Sequence, residues 1–277
     1  MLGELWPRRE LILSLVKRDL KTRYKSSILG FLWSFCKPLL LMLVLYVVFT
    51  KFIPIRFAAL KQTPFALFLL SNILVWSYLA GSLGEGMFSI IGNATLVKKT
   101  YIPHEVFPVV TILSNLFHFL LALVVYFIFL ICFGASLKWQ VLLLPLVIVV
   151  QTVFILGLAL LLAVLNIFYR DVASIMEIII TAWFYLSPIL YPVSEPARYI
   201  PASDLPGWFF HAYMLNPMAP ILAAYRATLL LPAFGESELS ARRLMAYLCV
   251  AVVISAALVA VARAVSRHYS ARLADEL

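Results

Sequence analysis

Six apolar runs, each about long enough to cross a lipid bilayer, constrain the fold of this chain more than any other feature. A transmembrane helix needs roughly 20 mostly apolar residues. Runs of about that length lie at 30–53, 64–83, 106–133, 140–165, 172–190 and 244–263. Hydrophobic residues fill 64% of the 277 positions and charged residues only 13%, which leaves too few polar side chains to cover a water-facing exterior. We therefore predict an all-α integral membrane protein with six transmembrane helices.

A basic amphipathic segment leads without a linker into the first apolar run. Its apolar side chains recur at every fourth position, at Ile12, Val16, Leu20 and Tyr24, with lysines and arginines on the other side. This pattern predicts a helix at the membrane interface, serving either as a headgroup anchor or as a contact surface for a cytoplasmic partner. We assign residues 1–29 to this interface segment and residues 30–277 to the transmembrane domain.

The distribution of basic residues predicts the orientation of the chain. The net charge is +9, and the lysines and arginines cluster beside the apolar runs, most densely before the first one. Because basic flanks stay on the cytoplasmic side, both termini are expected inside the cell. The same clustering disfavours nucleic acid as the partner of these charges. The three cysteines lie inside apolar runs and predict neither a disulfide framework nor a metal site.

The segment between the last two runs, about 191–243, contains two shorter apolar stretches, Gly207–Leu215 and Met218–Leu231. Each is too short to cross, and Pro217 and Pro220 divide them. Apolar segments of this length favour a re-entrant or interfacial hairpin over further spans. We predict a hairpin on the outer face that shapes an exit; two additional spans are the alternative.

The second cytoplasmic loop, Gly92–Pro108, is a polar break between two spans. Asn93 can begin a short helix that runs to Lys99, and Pro103 prevents its continuation. A short helix at the membrane face suits force transfer from a soluble motor, although a plain connector gives the same pattern.

Two acidic residues, Glu85 and Glu177, fall at or near membrane depth, where ionisable groups are candidates for function. A proton relay needs a chain of such groups, and these two are isolated. The sequence also lacks a phosphate-binding loop, a zinc-protease motif and a serine-hydrolase motif. We therefore expect no catalytic or metal site, so any ATP hydrolysis belongs to another chain.

Several aromatic residues lie within the apolar runs rather than at their ends. Aromatic faces stack on the apolar faces of sugar rings, and phenol or indole groups bond to hydroxyls. A glycan-lining role is one interpretation, and ordinary packing or lipid contact is the other.

Five segments together resemble the transmembrane subunits of type-2 ABC exporters, most closely the polysaccharide branch that moves O-antigen, capsule or teichoic acid chains. They cover most of the chain in the order of that family: Lys17–Leu40, Asn93–Pro108, Asn166–Val172, Tyr185–Pro192 and Leu215–Arg226. The resemblance implies the permease of an ATP-driven exporter of a lipid-linked glycan, multi-pass in the bacterial inner membrane. It also implies a homodimer that binds two copies of an ATPase subunit, which holds the ATP and Mg²⁺.

The resemblance and the aromatic pattern described above together predict roles for three groups of residues. The contact surface for the ATPase subunit would comprise Lys17, Arg18, Lys21, Arg23, Tyr24, Asn93, Leu96, Lys98 and Lys99. The substrate channel would be lined by Tyr46, Phe49, Trp76, Tyr78, Trp183, Tyr185 and Tyr191. The exit gate would include Asn216, Pro217, Tyr225 and Arg226. The alternatives are a type-2 ABC permease for a drug or lipid, an ion-coupled transporter, and a membrane transferase acting on lipid-linked sugars.

Overall fold

The computed structural model describes residues 6–24, 32–53, 64–99, 102–134, 139–196, 206, 208–230, 239–269, 272 and 276. Within these residues the regular structure is entirely helical. The α-helices are α1 (Arg9–Tyr24), α2 (Leu32–Val47), α3 (Phe65–Phe88), α4 (Ala94–Lys99), α5 (Val106–Cys132), α6 (Leu144–Phe168), α7 (Asp171–Leu186), α8 (Trp208–Met214), α9 (Met218–Leu229) and α10 (Ala241–Tyr269). A π-helical turn, Val48–Phe52, extends α2, and a 3₁₀ turn, Trp139–Leu143, precedes α6. The domain boundary assigned between residues 29 and 30 lies outside the described residues.

Five helical segments in the described part of the chain are long and apolar enough to cross a membrane. They are Phe35–Phe52, Phe65–Phe88, Val106–Cys132, Trp139–Phe168 and Ala241–Tyr269. These match five of the six predicted runs.

The sixth run, predicted at 172–190, forms α7, which has only 16 residues. At 1.5 Å per residue this is about 24 Å, less than the roughly 30 Å of the hydrocarbon core. The helix ends at Leu186, and the next residue, Ser187, has an extended backbone at φ −95° and ψ 150°. Pro188 follows, and the residue before a proline avoids the helical conformation. A sixth full span therefore remains a prediction.

The helix α3 forms the centre of the bundle. Most of its residues are buried, and it contacts α2, α5, α6, α7 and α9. The long helix α10 instead lies along α6 and is otherwise largely exposed. Gly157 makes this pairing close, because a Cβ at that position would lie 2.8 Å from the backbone nitrogen of Val259.

The bundle has two distinct ends. At the first, which we call the α1 end, lie α1, α4 and the last turns of α3, α6 and α10. At the other, the α9 end, lie α8, α9, the Trp139–Leu143 turn and the first turns of α3 and α10. The predicted interface segment and the predicted hairpin thus occupy opposite ends.

Candidate functional site

At the α1 end, an ionic network attaches α1 to the bundle. Arg23 donates from Nη2 to Glu85 Oε2 at 2.5 Å and from Nη1 to Glu85 Oε1 at 3.1 Å. Its Nε also donates to Asp19 one turn earlier, at 3.1 Å. Asn115 on α5 donates to Glu85 Oε2 at 2.7 Å. The network therefore joins α1, α3 and α5. It also gives a partner to Glu85, which the sequence analysis placed near membrane depth as an isolated acid.

Arg23 remains charged in this network. Burial by itself would lower its pKa, but the charges and hydrogen bonds of Glu85 and Asp19 outweigh that effect and raise the pKa above the ordinary value. A cavity of about 220 Å³ opens beside the network, and Lys37 and His118 also line it.

A second contact ties α1 to the loop before α4. Arg18 Nη2 donates to Asn93 Oδ1 at 3.1 Å, and Asn93 Nδ2 donates to the carbonyl of Ser89 at 2.8 Å. The helix predicted from Asn93 to Lys99 is present as α4. Leu96 packs into a small cluster with Ile90, Phe107 and Ile167. Helix α1 is thus hydrogen-bonded to the turn that leads into the short helix.

Four members of the predicted ATPase contact surface are exposed cations at this end. They are Lys17, Arg18, Lys21 and Lys98. Arg23 departs from them, since it points into the bundle rather than outward. The side chains of Tyr24 and Lys99 lie outside what the structure describes. The ATPase contact itself remains a prediction for all of these residues.

A third contact fixes the α4–α5 loop to the last helix. Ser266 Oγ donates to Glu105 Oε1 at 2.8 Å, and His104 Nε2 lies 2.8 Å from the same Ser266 Oγ. Because Ser266 gives its only proton to Glu105, His104 Nε2 must be the donor toward Ser266. Burial lowers the pKa of His104, and the charge of Glu105 opposes that shift.

At the α9 end, Arg226 joins three parts of the chain from a buried position. It is 3% exposed. Its Nη1 donates to Asn72 Oδ1 on α3 and to the carbonyl of Pro188, both at 2.9 Å. Its guanidinium also lies over the ring of Phe68, 5.3 Å from the centroid. Asn72 in turn donates to the carbonyl of Ile189 at 2.9 Å, so the segment after α7 is held on both sides.

The turn between α8 and α9 is organised by Asn216. Its Oδ1 accepts from Trp183 Nε1 at 2.8 Å and from the backbone nitrogen of Met218 at 3.1 Å. Its Nδ2 donates to Ser187 Oγ at 3.0 Å. Pro217 follows as the N-cap residue of α9. The start of α9 is therefore bonded to the end of α7.

Buried polar groups also connect the middle of α9 to the bundle. Tyr225 donates to Gln151 Oε1 at 2.7 Å, and Gln151 Nε2 donates to the carbonyl of Val75 at 2.9 Å. The four residues predicted for the exit gate thus lie together at the α9 end. Tyr225 and Arg226 are buried within the protomer, and a gating role for the group stays a prediction.

The aromatic residues predicted for the channel fall into two groups. Trp76 and Tyr78 are buried: Trp76 packs edge-on against Trp183 at 5.7 Å, and Tyr78 stacks on Phe119 at 5.0 Å. These contacts are packing inside one protomer.

The others reach the protomer surface to different degrees. Tyr46 and Tyr185 are exposed, whereas Phe49, Trp183 and Tyr191 are half-buried. The surface members remain the better candidates for channel lining, which stays a prediction.

The sequence reading missed the polar residues that connect the helices. Asn72, Asn115, Gln151 and Ser187 lie within or beside apolar runs, where a polar side chain bonds across helices or remains unsatisfied. Isolation in an apolar run was the available signal. Among the described residues, no three His, Cys, Asp or Glu side chains come together as a metal site.

Comparison with known proteins gives consistent matches over most of the chain. The model of the family described as ABC-2 type transporter matches residues 10–230. The O-antigen export system permease protein RfbA of Myxococcus xanthus is 34% identical over 259 residues, which is 92% of both chains. A protein of the same name from Klebsiella pneumoniae is 34% identical over 221 residues, 78% of this chain and 79% of that relative.

Proposed function

Because this chain belongs to the ABC-2 type transporter family, we propose that it is the permease subunit of an ATP-driven exporter for a lipid-linked, O-antigen-like polysaccharide. The observation that carries the proposal is the similarity to an O-antigen export permease over 92% of the chain. The apolar helices agree with a multi-pass membrane component.

We assign energy supply to a separate ATPase subunit that binds at the α1 end. The exposed cations of α1, together with Lys98 of α4, present a basic surface to a cytoplasmic partner. The Arg23–Glu85 pair then transfers motion of α1 to α3, and the Arg18–Asn93 bond transfers it to the loop before α4. ATP and Mg²⁺ would bind to the partner subunit.

We place the glycan path between two copies of the chain. The centre of one protomer is filled by buried side chains of α3, α5, α6 and α9, which leaves no room for a sugar chain. The helix α7 instead exposes apolar residues, among them Ile175, Ile178 and Ile179. A homodimer that uses such exposed helices encloses a channel that one bundle does not provide.

The orientation follows from the same assignment. The α1 end faces the cytoplasm of a bacterium, and the α9 end, with α8 and α9 as a re-entrant hairpin, faces outward from the inner membrane. Both termini are then cytoplasmic, in agreement with the basic residues that flank the first span.

The test is purification from native membranes in mild detergent, followed by identification of the partner and an ATPase assay. We expect a stoichiometric ATP-hydrolysing subunit. The Lys17→Glu/Lys98→Glu variant should lose it, whereas Lys51→Glu, an exposed lysine at the opposite end, should retain it. A homo-oligomer without ATPase activity would instead favour the ion-coupled or transferase alternatives, and a bound drug or lipid in place of glycan would change the substrate.

A further inference from the structure

A groove of about 450 Å³ lies between α3 and α7. Ala80 and Gly84 form part of the α3 wall, and Ser174, Glu177 and Thr181 form part of the α7 wall. A Cβ built on Gly84 meets no heavy atom within 4 Å, so the space beside this glycine is open. The groove is therefore a cavity at the protomer surface rather than a packed helix contact.

The α7 wall carries a polar row in an otherwise apolar surface. Ser174, Glu177 and Thr181 are spaced by three and four residues, which places them on one face of the helix. Glu177 is exposed at the protomer surface, and among the described residues its carboxylate has neither a hydrogen bond nor an ion pair; only its backbone carbonyl accepts, from Thr181. A carboxylate is costly in lipid, and such residues normally face a polar cavity or a partner. The unpartnered acid thus indicates that the groove is wet.

The lining also indicates which ligand would fit. A carboxylate only accepts hydrogen bonds, and the Thr181 hydroxyl also has only acceptor capacity left, because it donates its proton to the carbonyl of Glu177 at 2.9 Å. The Ser174 hydroxyl both donates and accepts. This set matches a ligand rich in hydroxyl groups, and an anionic ligand would be repelled by Glu177. The volume falls within the roughly 300–1,000 Å³ of small-molecule sites.

We propose that the α3–α7 groove is a sugar subsite on the translocation path, in which Glu177 accepts hydrogen bonds from sugar hydroxyls and disfavours acidic sugars. The inference rests on the proposed function and narrows its substrate to glycans of neutral or amino sugars. Because Met87 and Phe88 of the last turn of α3 line the groove, the subsite lies toward the α1 end, where a glycan would enter.

The test measures the charge and wetness of the groove without needing the glycan. Thr181→Cys is placed in a variant whose native Cys36, Cys132 and Cys249 are replaced by serine, and the chain is kept in membranes with its ATPase partner. Two methanethiosulfonate reagents are compared, one with a cationic trimethylammonium group and one with an anionic sulfonate. Lys51→Cys, at the α9 end, is the matched control.

Both reagents should modify Thr181→Cys, the cationic one faster. Glu177 lies one helical turn away, about 6 Å, and a unit charge at that distance in water changes a rate about threefold in each direction. Glu177→Gln should therefore lower the cation-to-anion rate ratio about tenfold at residue 181 and leave it unchanged at residue 51.

Two results would overturn the subsite. If neither reagent modifies residue 181 while residue 51 reacts, lipid or a second copy covers the groove. If both react and Glu177→Gln leaves the ratio unchanged, Glu177 does not set the charge. Surface glycan measured in the same cells distinguishes failure of the subsite from failure of the proposed function. Export of glycan without a change in the cation-to-anion rate ratio rejects only the subsite. Absence of both export and a bound ATPase rejects the proposed function itself.

Discussion

Substitution of Gly157 by alanine tests the closest helix contact in the bundle. The added Cβ would lie 2.8 Å from the backbone nitrogen of Val259 and 2.9 Å from the Cβ of Leu258. Contacts below 3.0 Å are essentially never seen for a real Cβ. Because one obstacle is backbone rather than a flexible side-chain end, α6 and α10 must move apart to accept the methyl group.

Two opposing effects set the change in the free energy of unfolding caused by Gly157→Ala. Alanine stabilises a helix interior by about 0.5–1 kcal/mol relative to glycine. Overpacking of a close-packed interior costs typically about 1–3 kcal/mol, and a backbone obstacle puts this site at the upper part of that range. Gly157→Ala should therefore lower the free energy of unfolding by about 1–2 kcal/mol. For a chain of this size we expect the melting temperature to fall by roughly 2–8 °C.

The assay is thermal unfolding in detergent, followed by tryptophan fluorescence and by the loss of the monodisperse chromatography peak. Gly84→Ala is the matched control, because it is also in a helix interior but meets nothing within 4 Å. It should melt at or slightly above the wild-type temperature. If both variants melt together at or above wild type, α6 and α10 do not approach as described and the reasoning fails.

Three further predictions concern polar contacts. Arg23→Glu should weaken the docking of α1 by about 1 kcal/mol, roughly fivefold, because the Arg23–Glu85 pair is partly exposed. Stimulation of the ATPase should fall in this variant, and the Arg23→Glu/Glu85→Arg swap should restore part of it. Equal ATPase activity in the wild type and both variants would contradict a coupling role. Tyr225→Phe should lower the free energy of unfolding by about 1–3 kcal/mol, because it leaves a buried Gln151 oxygen unpaired. Tyr225→Phe/Gln151→Leu should recover most of that loss. A double variant no more stable than the single one would argue against the Tyr225–Gln151 hydrogen bond. Because folding lowers the pKa of His104, the unfolded chain binds a proton at His104 more readily, and stability should decline as pH falls below about 6.5. The difference in melting temperature between pH 7.5 and pH 5.5 should therefore be smaller in His104→Gln than in the wild type. An unchanged difference would assign the pH dependence to another group.

The length of the apolar runs was enough to predict the long helices. The runs at 64–83, 106–133, 140–165 and 244–263 became α3, α5, α6 and α10, mostly with longer ends. Polar or charged terminal turns explain the difference: α10 runs from Ala241 to Tyr269 and includes arginines at both ends, which hydropathy excludes but a helix accepts.

The pairing of residues across the bundle could not be predicted from the sequence. Arg23 and Glu85 are 62 positions apart, and Asn72 and Arg226 are 154 positions apart. Such contacts depend on which helices become neighbours, and periodicity describes only the faces of each helix separately. The same limit explains why buried aromatics such as Trp76 and Tyr78 were grouped with exposed ones as channel residues.

The burial of α9 restricts how the α9 end of the bundle is able to open. All of its residues except Ala227 are buried, so α9 is part of the core rather than a surface element. Swinging α9 outward would expose an apolar helix on every side and break the bonds of Arg226 and Tyr225. In α8, by contrast, Met214 alone is buried. Among the described residues, the predicted exit gate would therefore move through α8, with Asn216 at its hinge, while α9 stays in place.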